Sequence, residues 1–171
     1  MTTSVPRWDL SNVYPSLESK EFEAAGTAVK SQIGELEKLF AEKVARMGVK
    51  TPVKDLAAVV GEAIERFNAL YELSGTIRAY IASFVTTDSH NTLAMKKMSE
   101  FQMVGVRMQN LGTQFQAWAG KIAPVLEKVI AADPVAGAHA FALRDAAEQS
   151  KYMMSEAEEA LAAELNLSGA S

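Results

Sequence analysis

The chain has 171 residues, of which 49% are apolar and 22% charged, with no Cys and 17 basic against 21 acidic side chains, a net charge of -4. A chain of this size buries roughly 70% of its unfolded surface without disulfides or a structural metal, and the lack of Cys excludes thiol catalysis, Cys-ligated zinc and iron–sulfur chemistry. The acidic balance repels phosphate backbones and anionic headgroups, so neither nucleic acid nor a membrane surface is an expected partner.

Residues 1–18 hold Pro6 and Pro15 around Trp8, Leu10, Val13, Tyr14 and Leu17. This pattern reads as an apolar arm lying across other elements, anchored by Trp8 and Tyr14. No basic cluster leads into an apolar run, so no secretory signal is expected. No window approaches the ~20 uninterrupted apolar residues of a membrane span, and a cytoplasmic location is the expectation. From Ser19 to about Met47, Phe22, Ala25, Val29, Ile33, Leu36, Phe40 and Val44 recur at steps of three or four. That spacing predicts one amphipathic helix, with Gly48 as its stop. Thr51-Pro52 predicts the next start, Thr51 as cap and Pro52 at the first helical position.

A second long helix then runs to about Thr86 on Leu56, Val59, Val60, Ala63, Ile64, Phe67, Leu70, Tyr71, Ser74, Ile77, Ile81, Phe84 and Val85. Gly75 in its interior is expected to mark a bend or the close approach of another helix. Thr86-Thr87-Asp88-Ser89 supplies cap candidates for a third helix from about His90 to Gly120. Its apolar set is Leu93, Met98, Phe101, Met103, Val104, Met108, Leu111, Phe115 and Trp118. A short helix opens at Pro124, another at Asp133-Pro134 running to Ser150, and a last one at the Ser155-x-x-Glu158 capping box. No stretch alternates as a strand does. The fold class is therefore all-α, a bundle of three long antiparallel helices with shorter C-terminal helices over residues 19–171.

Little in the chain carries chemistry. His90 and His139 lie in no His-Glu-x-x-His spacing, so no metal site is assigned to this chain. Glu156, Glu158, Glu159 and Glu164 suit the dipole of a capped first turn better than acid–base work. Met95 and Met98 read as core or as part of a peptide groove. Arg78, Tyr80, Asp88 and His90, at or beside helix ends, are the candidates for facing a substrate.

The segment Trp8-Asp9-Leu10-Ser11-Asn12-Val13-Tyr14-Pro15-Ser16-Leu17-Glu18-Ser19 resembles the opening of oligoendopeptidase F proteins. The segment Tyr152 to Gly169, with Ser155-Glu156-Ala157-Glu158-Glu159, is similar to that family's Ser-x-x-Glu-Glu helix and the Ser-Gly step after it. The second helix, ending at Thr86-Thr87-Asp88, resembles a family helix that ends before a Thr-Asp turn. The resemblance spans nearly the whole chain. It implies the N-terminal lobe of a thimet-oligopeptidase-type zinc metallopeptidase, mostly helical, whose two lobes enclose a channel that admits short peptides. The family's zinc ligands and catalytic Glu lie C-terminal to the matched region, so no catalytic residue is carried over. The implied partners are the missing catalytic domain and short peptides, with zinc as the parent's cofactor. An isolated lobe is expected to expose apolar surface and to self-associate. The alternative is a self-contained helical interaction module without enzymatic activity.

Overall fold

A computed structural model of the chain describes residues 9–153. Of these, 83% are helical and none forms a strand, so the all-α class holds. The described residues divide into two compact units, 9–46 with 59–112 and 47–58 with 113–153; the second and third long helices contribute residues to both. Trp8 and the capping box at Ser155 lie outside the described residues.

The first unit begins with turns. The Val13 N–H donates to the Leu10 carbonyl at 2.9 Å, and the Ser19 hydroxyl then accepts from the Phe22 N–H to start α1, Lys20–Glu42. Glu21 and Glu23 add negative charge to its first turn, where the helix dipole favours it. Phe22, Val29, Ile33, Leu36, Leu39 and Phe40 form its buried stripe. The helix ends about five residues earlier than the spacing predicts. Val44, within a single 3-10 turn at Val44–Arg46, is buried, so the chain tightens to keep Val44 inside instead of running on to a glycine stop. No described glycine has a positive φ, and the Gly48 N–H donates to Thr51 Oγ1. Thr51 therefore spends its hydroxyl oxygen on the preceding turn. Pro52 precedes α2, Val53–Thr87, and its carbonyl accepts from Asp55 and Leu56.

Side-chain pairs set the register of the unit. The Phe22 ring, near the start of α1, meets Tyr80 near the end of α2 at 5.7 Å, and Lys97 near the start of α3, Thr92–Ile122, lies 5.9 Å above the same ring. Farther along, Arg66 donates to Glu35 at 2.9 Å, Lys43 to Glu62 at 2.8 Å, and Arg107 to both carboxylate oxygens of Glu37 at 3.0 and 2.7 Å. Residue numbers rise together on α1 and α3 and fall on α2, so within this unit the helices run up, down and up. Glu62 also accepts from Arg66. The Lys43 ammonium, and then Arg66, hold the Glu62 carboxyl below its usual range. Such partly exposed pairs contribute about 0–1 kcal/mol each and act mainly as register marks. The energy lies in the apolar seam: Val29, Ile33, Leu36, Val60, Ala63 and Leu70 have no exposed area, and burying an aliphatic side chain of this size is worth roughly 1.5–3 kcal/mol.

Several expectations are corrected in this unit. A Cβ at Gly75 would meet nothing within 4 Å, so no neighbouring helix approaches there. Tyr71 is 54% exposed, stacked on Phe67 at 6.0 Å, and Met103 is 68% exposed, so neither belongs to its helix's buried stripe. Asn91 caps α3 by accepting from the Ala94 N–H, whereas Asp88 accepts from the His90 N–H within the loop before it.

In the second unit, Trp118 is buried and its indole N–H donates to the Met47 carbonyl at 3.0 Å. A 3-10 turn at Ala123–Val125 carries Pro124 and leads to α4, Leu126–Ala132. Asp133 accepts from the Ala136 N–H and Pro134 occupies the first turn of α5, Pro134–Ala138. The chain then breaks at His139, where a single helix was expected. The His139 N–H and its ring Nδ1 both approach the Val135 carbonyl, and the residue adopts φ -105, ψ 19 before α6, Ala140–Gln149. Arg144 pairs with both oxygens of Glu127 at 2.7 and 2.8 Å, joining α6 to α4.

Among the described glycines the closest surroundings are at Gly120, where an added Cβ would overlap Oγ and Cβ of Ser150. Gly120→Ala is therefore expected to destabilise the protein by about 1–3 kcal/mol, although alanine is the better helix former by ~1 kcal/mol. Urea denaturation of Gly120→Ala, and of Gly120→Ala with Ser150→Gly, checks this. The double variant should recover most of the loss, and a stabilised single variant would contradict the packing.

Candidate functional site

The four residues singled out from the sequence fall into three settings. Arg78 is exposed on α2. Asp88 and His90 are brought together in the exposed loop after α2, joined by the hydrogen bond from the His90 N–H to Asp88 Oδ1 at 3.0 Å. Tyr80 is buried in an aromatic cluster, its ring 5.1 Å from Tyr14 and 5.0 Å from Phe84. Its hydroxyl donates to the Tyr14 carbonyl at 2.8 Å, and burial pushes its pKa up, so the group stays a protonated donor. Tyr14 also meets Phe22 edge-on at 5.5 Å, which docks the described part of the arm on the ends of α1 and α2. Tyr80 is thus committed to holding the arm. Of the Met pair considered for a groove, Met95 is exposed and Met98 half-buried on α3.

A concave feature of this unit is a groove of about 330 Å³ flanked by α1 and α3, with α2 below. Ile77 and Ile81 form its floor, and Phe22, Phe101 and Val104 extend the apolar surface. Gly26 opens it, because a side chain there would meet nothing within 4 Å. Thr27 lines the wall, its hydroxyl donating to the Glu23 carbonyl at 3.0 Å. Glu23 and Lys30 stand on the α1 rim, and Lys97 and Glu100 on the α3 rim. Two acids therefore balance two bases. Among the described residues no ion pair crosses the mouth, although Lys96 reaches Glu100 along α3 at 3.9 Å. One turn beyond Val104, the Arg107–Glu37 pair clamps α3 to α1, and the guanidinium holds the Glu37 carboxyl below its usual range. Such a volume stands at the small end for ligand pockets and accommodates a few side chains, not a folded partner.

Sequence reasoning missed the groove. Its apolar floor reads as ordinary core, and its one signal is the run Ala24-Ala25-Gly26-Thr27, which lacks a bulky side chain near the start of α1.

As to metals, the described residues contain no group of three or more His, Cys, Asp or Glu side chains placed to hold an ion. No described helix is long and apolar enough to cross a membrane.

Tyr80→Phe should cost about 1 kcal/mol by stranding the Tyr14 carbonyl, and should speed proteolytic cleavage within residues 9–18. Limited proteolysis with a thermal melt measures both, and an unchanged cleavage rate would contradict the anchoring role. Comparison with family models, curated proteins and solved structures finds no match to this chain.

Proposed function

We propose that this chain is the non-catalytic, N-terminal helical lobe of a zinc-dependent oligopeptidase of the oligoendopeptidase F type, contributing a wall of the channel that admits short peptides. The observation that carries this reading is the order of three segments along one chain: the Trp8-Asp9-Leu10…Tyr14-Pro15 arm, the long helix closing on Thr86-Thr87-Asp88, and the Ser155-Glu156-Ala157-Glu158-Glu159 run. The arm and the helix end are also structural joints, since Tyr14 docks on Tyr80 and Asp88 organises the turn that follows α2. In such enzymes zinc polarises the scissile carbonyl and lowers the pKa of its bound water. The described residues of this chain do not form a ligand set for that ion, so no reaction step is assigned to them. Their part is to shape access, with the exposed groups Arg78, Asp88 and His90 as channel-facing candidates.

A second reading is a helical interaction module without enzymatic activity. The groove favours it, because an apolar floor framed by acids and bases suits a peptide held by a few anchoring side chains.

Reading the native gene beyond Ser171 and assaying both forms separates the two. The lobe reading expects a continuation that encodes a His-Glu-x-x-His helix, with cleavage of a quenched peptide by the long form plus zinc and none by residues 1–171. A gene that stops at Ser171, or turnover with stoichiometric zinc by these 171 residues alone, would refute it.

A further inference from the structure

We infer that the solvent-facing side of α3 between Met95 and Asn110 is the contact surface of a homodimer, packed antiparallel against the same face of a second copy of this chain. The inference does not rest on the peptidase reading and holds for either function.

The first observation is where this face lies. Val104, Met108 and Leu111 turn inward on α3. At 3.6 residues per turn, Met95, Ser99, Met103, Val106 and Asn110 fall on the opposite side, and all five are exposed. A surface helix ordinarily carries its charged residues on that side. The other two long helices of the unit do so, with Lys38 and Glu42 on α1 and Glu65 and Glu72 on α2. On α3 the face bears no charge over roughly 22 Å, and Met95, Met103 and Val106 on it are 49%, 68% and 51% exposed.

The second observation is how complete the lack of charge is. From Phe101 to Gly120 the sequence holds a single charged side chain, Arg107, in a chain that is 22% charged. Both oxygens of Glu37 already engage that guanidinium. Met103 and Val106 thus form an apolar centre with Ser99 and Asn110 beside it, the core-and-rim arrangement of a protein contact.

Charge also selects the occupant. A two-fold contact sets a surface against itself, so any free charge on it would meet its own like, which is strongly unfavourable across an interface. Two copies at a net charge of -4 repel each other overall, and a charge-free face is where they can meet. The edge of the face sets the direction. Lys96 and Glu100 are exposed at its start, 3.9 Å apart. Parallel pairing would bring each beside its own copy. Antiparallel pairing, centred between Val104 and Gly105, sets both against the uncharged far half of the face. It also places Met103 against Val106 of the second copy and Ser99 against its Asn110. A contact of this length stands at the small end of specific interfaces, so the dimer should dissociate on dilution.

Sedimentation equilibrium of the whole chain, from micromolar to millimolar concentration, tests this. The unaltered chain should pass from monomer to dimer across that range. Val106→Glu and Val106→Lys, each measured alone, should weaken the dimer by about ten-fold or more. An equimolar mixture of the two variants should recover it, because the facing surfaces then carry opposite charges. Glu65→Lys, on the exposed side of α2, should leave it unchanged. A chain that stays monomeric throughout would give the face to a different protein and overturn the assignment. So would a dimer indifferent to both Val106 variants, or a mixture no stronger than its components. Should either Val106 variant fail to fold, Met103→Glu and Met103→Lys run the same comparison at a more exposed position.

Discussion

Val29, Ile33 and Leu36 follow one another at steps of four and three along α1 and are entirely withdrawn from solvent, as are Val60, Ala63 and Leu70 on α2 and Ala94 on α3. This buried aliphatic seam is the constraint from which the first unit follows. Each member is worth a few kcal/mol on burial, whereas the ion pairs around it are partly exposed and individually weak. The seam fixes which stripe of α1 faces inward, and the ion pairs Arg66–Glu35 and Arg107–Glu37 then select the sliding register of α2 and α3 against it.

With α1 so oriented, its two flanks take different roles. The flank toward α2 is filled by aromatic rings, and Tyr80 adds a hydrogen bond that reaches back to the arm. The flank toward α3 lacks bulk at Gly26, and a groove results. One glycine and one threonine thus distinguish a sealed helix seam from an open one. This surface combines apolar area with balanced charges at its edge.

Most of the helical frame was legible in the sequence because heptad-like spacing of large aliphatic residues is a strong signal over thirty residues. The ends and exceptions were not. Helix α1 stops at Glu42 because Val44 is more stably buried in a tighter turn, a tertiary preference that no glycine marks. Tyr71 and Met103 keep helical spacing yet face solvent, since spacing gives the angle of a residue but not how far a neighbour extends to cover it. At the break the His139 ring meets the Val135 carbonyl, a local contact hidden inside an apparently continuous helix. Tyr80 read as a polar group free to face a substrate, and only the fold supplies the Tyr14 carbonyl that uses its hydroxyl. The groove was invisible for a related reason: it is defined by which helices flank a missing side chain.

Ile33, with no exposed area, is a residue on which the whole first unit depends. Native-state hydrogen exchange on Ile33→Ala tests this directly. Truncating a buried isoleucine costs about 2–5 kcal/mol, and amides of α1, of residues 59–87 and of residues 92–112 should lose protection by a common amount. Loss confined to the turns of α1 next to Ile33, with the rest of the unit protected as before, would contradict it.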